Sequence, residues 1–101
     1  MSFRAGSVSA TGRIVAETDN AHCLVIEFHA RSKNANSVYV GGSDVSTSNG
    51  REIPAGESFV VNLALPDERQ HAGRVLLSSF YAVTTGGDLV DWSAVIRNPA
   101  T

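Results

Sequence analysis

Apolar and polar residues alternate along this chain in short runs, and Gly, Pro, Asn and Asp separate the runs at intervals of about ten residues. Alternation with a period of two is the mark of a strand with one face buried. Residues 12–18 read as a short strand stopped by Asp19-Asn20. Residues 22–31 form the longest early strand, with His22, Leu24, Ile26, Phe28 and Ala30 on the face expected to be core. Cys23, Val25, Glu27, His29 and Arg31 share the other face. After a polar turn at residues 32–37, Val38-Tyr39-Val40 is a strand halted by Gly41-Gly42. A long loop of small polar side chains follows, and Pro54-Ala55-Gly56 has the proline and glycine of a tight turn.

The second half continues in the same way. Residues 57–65 predict a strand with Phe59, Val61, Leu63 and Leu65 inward. Residues 66–73 are a polar connection with room for one helical turn at 67–70. Residues 74–84 and 89–97 flank Thr85-Gly86-Gly87-Asp88, whose paired glycines suit a type I′ or II′ hairpin. Val90, Trp92, Ala94 and Ile96 share one face of the last strand, which Asn98-Pro99 stops. Residues 1–10 are rich in Ser and Gly and lack periodicity. They read as an extended arm, disordered or ordered only against a neighbour. The expected fold is therefore all-β, a small antiparallel β-sandwich or barrel, Ig-like or jelly-roll-like. It has six to eight short strands over residues 11–97, an N-terminal arm at 1–10 and a tail at 98–101.

Composition narrows the function classes. With 101 residues the chain is one domain by length, and its net charge is only −2. The eight Lys and Arg residues are scattered singly, so no basic stripe exists and no nucleic-acid partner is expected. No window approaches the ~18–20 consecutive apolar residues of a membrane helix, so no membrane partner is expected either. Met1-Ser2-Phe3-Arg4 leads into polar residues rather than an export leader, which points to synthesis and folding in a cytoplasm. The single Cys23 rules out an internal disulfide framework, and its apolar neighbours make it a packed thiol.

The chain offers little for chemistry, so neither catalytic residues, a cofactor nor a metal is expected. His22 and His29, seven apart in one strand, point to opposite faces, and His71 lies far along the chain. Ser, His and Asp are all present, but there is no Gly-x-Ser-x-Gly elbow and no paired carboxylates. Gly41-Gly42-Ser43 lacks the Gly-Lys-Ser/Thr ending of a phosphate loop. The stretch Asp44 to Gly50 places oxygen side chains at alternate positions, faintly like a calcium loop. Its glycine is one place late, and Ala55 stands where a bidentate Glu belongs. Tyr39, Phe80, Tyr81 and Trp92 would suit a sugar platform or a base-stacking surface, but Trp92 alternates with core residues, and of the adjacent Phe80 and Tyr81 one faces inward, leaving an outward Tyr81 to anchor a protein contact.

The series from Val38 to Phe59 resembles a pattern found in small virion proteins of tailed bacteriophages. There, a strand ending Val-Tyr-Val-Gly-Gly leads through a Ser-Asp-Val loop to Asn-Gly, then to a Pro-x-Gly-Glu-Ser turn. The matching residues here are 38–44, Asn49-Gly50 and 54–58, about a fifth of the chain. The resemblance implies a non-enzymatic particle component. It would be a capsid decoration (cement) protein, a tail or head–tail junction component, or a module binding a host surface or carbohydrate. The implied partners are the major capsid protein and copies of the chain itself, in a trimer or another symmetric oligomer. The location would be the virion, after synthesis in the host bacterial cytoplasm. Candidate contact residues are Phe3, Arg4, Tyr39, Ser43, Asp44 and Tyr81.

Overall fold

The computed structural model describes residues 2–9, 11–19, 21–63 and 75–97. In chain order the strands are β1 (Ser2–Val8), β2 (Gly12–Arg13), β3 (His22–Ala30), β4 (Val38–Gly41), β5 (Arg51–Ile53), β6 (Ser58–Asn62), β7 (Tyr81–Val83) and β8 (Val90–Arg97). They form two four-stranded sheets, ordered β1-β8-β3-β6 and β2-β7-β4-β5, and every pairing is antiparallel. The pairings nest: β1 with β8, β2 with β7, β3 with β6 and β4 with β5. Additional ladders, β3 with β8 and β4 with β7, close the roll. A long hairpin wrapped over itself in this order is a jelly roll, one of the two sandwich types the sequence allowed.

The core lies between the sheets, where period-two alternation puts it. From the first sheet come Ile26, Phe28, Val90, Trp92, Ala94 and Ile96, and from the second Val38, Val40, Ile53 and Ala82. Phe28 is fully buried, its ring 5.8 Å from that of Phe80 at a tilt of 56°. Such a side chain contributes about 2–3 kcal/mol of transfer free energy, so these few residues carry most of the fold.

Three local expectations give way to the packing. First, β3 is bulged between Cys23 and Val25: Cys23 faces Ile96 and Val25 faces Val95, so Leu24 is the extra residue. The bulge flips the alternation, which places Cys23 rather than His22 in the core and leaves His22 half-buried. Burial pushes the Cys23 thiol up to about 11.

Second, the N-terminal stretch is no free arm, because Ser2–Val8 pairs with β8 in unbroken register over seven residues. The glycine that made it look like an arm is a packing feature. A Cβ on Gly6 would lie 2.9 Å from Trp92 Nε1, so only glycine lets the indole lie over β1.

Third, the Gly86-Gly87 turn is tight, with φ of 62° and 88° and an Asp88 N–H to Thr85 O bond of 3.1 Å. The strands it joins nevertheless belong to different sheets, so it is a crossover and not a hairpin. A 3-10 turn at Leu77–Ser79 precedes β7, which cuts the expected strand at 74–84 down to three residues. The crossover is held from outside. The buried Asp88 carboxylate accepts the N–H groups of Ala35 (3.0 Å) and Asn36 (2.9 Å), and Asn34 exchanges two hydrogen bonds with the backbone of Leu89. The expected strand at 57–65 forms as β6, with Phe59 and Val61 packed on the core. Leu65, the helical turn at 67–70 and the tail at 98–101 lie outside the described residues.

Candidate functional site

The outward face of the β1-β8-β3-β6 sheet is built of three cross-strand rows. Phe3, Val95, Val25 and Asn62 form the first, Ala5, Ser93, Glu27 and Val60 the second, and Ser7, Asp91, His29 and Ser58 the third. The first row is mainly apolar. Phe3 is 79% exposed and Val60 in the next row 54%, the large hydrophobic side chains most open to water among the described residues. The third row is polar and linked in two pairs, Ser7 with Asp91 and His29 with Ser58. Arg31 grips Asp91 with both ends of its fork (2.8 and 2.9 Å), Ser7 Oγ donates to Asp91 Oδ1 (2.6 Å), and His29 Nδ1 meets Ser58 Oγ at 2.9 Å. The Arg31 guanidinium and then the Ser7 hydroxyl hold the Asp91 carboxyl down at about 2. A shallow depression lined by Ala5, Ser7, Glu27, His29, Asp91 and Ser93 lies between these rows. The face thus grades from apolar at the start of β1 to charged at its end.

The outward face of the second sheet is smaller and better covered. Tyr81 sits between Arg13 and Gly41, and the Arg13 guanidinium lies 4.9 Å from the centre of its ring while donating to Ser78 O. Tyr39 sits between Val83 and Glu52, half-buried. Neither ring is an open platform.

The loop at 42–50 leaves this sheet as a self-braced unit. Ser46 and Asn49 exchange backbone hydrogen bonds of 2.7 and 3.2 Å, and Asn49 Nδ2 donates to Asp44 Oδ2 at 3.2 Å. Val45 is folded back between Gly41 and Gly50. A Cβ on Gly50 would come within 2.5 Å of Val45 Cγ2, and its φ of 152° already suits glycine alone. Val-Gly-Gly…Asn-Gly is therefore the sequence of a loop that swallows its own valine. Ser43 and Asp44 stand exposed at its start.

The six candidate residues do not converge. Phe3 and Arg4 lie on β1. Phe3 points outward, while Arg4 turns to the other face and pairs with Asp19 at 2.5 Å. The Ala21 N–H and then Arg4 lower the pKa of that Asp19 carboxyl. Tyr39, Ser43, Asp44 and Tyr81 belong to the second sheet and its loop. Reasoning from the sequence missed Val25, Val60 and Val95, which extend the Phe3 patch. Their signal was an apolar residue at the polar beat of each alternation. Among the described residues no three of His, Cys, Asp and Glu gather as metal ligands, and His71 lies outside those residues. The Asp44 carboxylate is engaged by Asn49 instead.

No family model matches the chain, and no curated protein or solved structure is similar enough to establish a relationship.

Proposed function

We propose that this chain is a structural virion protein of a tailed bacteriophage, acting as a capsid decoration (cement) protein on the major capsid protein. The observation that carries this reading is the apolar cross-strand row Phe3, Val95 and Val25 on the outward face, with Phe3 79% and the diagonal Val60 54% exposed, a strip open to a partner protein. The virion-like series at Val38 to Phe59 adds to it by folding into a rigid, self-braced loop suited to docking without an ordering cost. Packed DNA strains the seams between capsid subunits, and a rigid β module spanning a seam adds buried area without any reaction. The protein is made in the host cytoplasm and ends on the particle surface.

Gel densitometry of purified particles tests the reading directly. A decoration protein is present at on the order of hundreds of copies, following capsid symmetry, whereas a few dozen copies would place it in the tail. Particles lacking the protein should release DNA at lower temperature. A Phe3→Asp/Val60→Asp double variant should keep its own melting temperature yet fail to bind stripped particles. Equal heat resistance of particles with and without the protein, or full binding by the double variant, would overturn the proposal.

A further inference from the structure

We propose that Asn49 is a site of spontaneous deamidation by the backbone nitrogen of Gly50, and that the carboxylate formed unlatches the loop at 42–50. The chain has six asparagines, and Asn49 is the one followed by glycine. Glycine has no Cβ to screen its amide nitrogen, so the preceding side-chain amide can reach it. Asn49 and Gly50 both stand exposed, which opens the reacting groups to water and hydroxide. Asn34 makes the contrast. It precedes Ala35, and both ends of its amide are held by the Leu89 backbone at 2.8 and 2.9 Å.

The reaction needs water and no other reagent. Gly50 gives up its amide proton to solvent base, its nitrogen attacks Asn49 Cγ, and a C–N bond forms. The tetrahedral intermediate expels Nδ2 as ammonia and leaves a five-membered succinimide. Water then opens this ring at one of its two carbonyls. Opening at Cγ gives aspartate, and opening at the main-chain carbonyl gives isoaspartate, in which the chain runs on through Cγ. Either product adds one negative charge to a chain of net charge −2, and neither keeps the Nδ2–H donors.

Those donors are the latch. Asn49 Nδ2 donates to Asp44 Oδ2 at 3.2 Å and to the Asp44 carbonyl at 3.4 Å, while Asn49 and Ser46 exchange backbone hydrogen bonds. A carboxylate only accepts, so Asp44 would meet a like charge in place of a donor. Isoaspartate also takes the carbonyl that accepts from the Ser46 N–H out of the main chain. Val45, packed between Gly41 and Gly50, then loses the frame that holds it. The reaction belongs to the isolated chain and does not depend on what the loop docks against.

Incubation of the full chain in mildly alkaline buffer, followed by peptide mapping in a mass spectrometer, should show NH2 replaced by OH at Asn49 at least about tenfold faster than at Asn34 or Asn36. Aspartate and isoaspartate should both form, more slowly in mildly acidic buffer. Asn49→Gln, whose cyclisation would need a six-membered ring, should stay amidated. Asn49→Asp reads the consequence directly: its NMR spectrum should shift at 42–50 with β3 and β8 unchanged. Asp44→Asn/Asn49→Asp puts the donor at position 44 and the acceptor at 49, and should return those shifts toward wild type. An intact Asn49 after alkaline incubation, or deamidation there no faster than at Asn36, would overturn the proposal. So would an Asn49→Asp spectrum unchanged in the loop, or a double variant no closer to wild type than the single one.

Discussion

The two sheets of this jelly roll are unequal. Strands of seven, eight, nine and five residues make the first, and strands of two, three, four and three make the second. The first is held by long ladders and by Phe28, Ile26, Val90 and Trp92 beneath it. The second has too little ladder to stand alone and is held by side chains: Arg13 on Tyr81, Val45 between two glycines, Asp88 and Asn34 across the crossover. The lesson is that a sandwich can concentrate stability in one layer and leave the other to present loops. Amide exchange should show it, with β3 and β8 exchanging only by global unfolding and β4, β5 and β7 by smaller openings.

Four substitutions break or sharpen the contrast, in descending order of effect. Phe28→Ala removes the side chain on which both sheets rest and should cost about 3–5 kcal/mol in denaturant unfolding. Gly50→Ala strains the backbone and displaces Val45, and should cost about 1–3 kcal/mol while perturbing chiefly the loop at 42–50 and its neighbours in NMR spectra. An equal disturbance at β3 and β8 would mean the layers are not separable.

Asp88→Ala removes the buried carboxylate that accepts the N–H groups of Ala35 and Asn36 and should cost about 1–3 kcal/mol, detaching the crossover first. The smallest effect concerns pH. The Asp91 carboxyl titrates at about 2 in the folded chain, below its unfolded value of about 3.9. Its contribution is therefore fully present above about pH 4 and lost as pH falls toward 2. Water screens much of this partly exposed pair, so Asp91→Asn should flatten the acid limb of the stability curve only slightly.

The alternation of β3, β6 and β8 was legible because each has one face in the core. What escaped the sequence was set by contacts distant along the chain. Gly6 looked like flexibility because Trp92, its reason for being glycine, comes more than eighty residues later. The Gly86-Gly87 turn signalled a hairpin because its local geometry is the same whether the flanking strands pair with each other or diverge. Cys23 is the packed thiol its apolar neighbours indicate, but it reaches the core on the face that alternation assigns to the outside, because a bulge is a response to packing and has no residue signature. Exposed Phe3 is legible as a lone large apolar residue among polar ones, whereas Val25, Val60 and Val95 join it only through strand pairing.

In the first sheet β8 lies between β1 and β3, although it is the last of the eight strands to be made. On the ribosome, then, the earlier strands wait with an open slot between them, each presenting bare backbone where β8 will later slide in. Ladders joining positions so distant along the chain form slowly, so this domain should complete itself only once β8 has emerged. A nascent chain arrested before Val90 should be digested readily by protease, whereas the finished one resists.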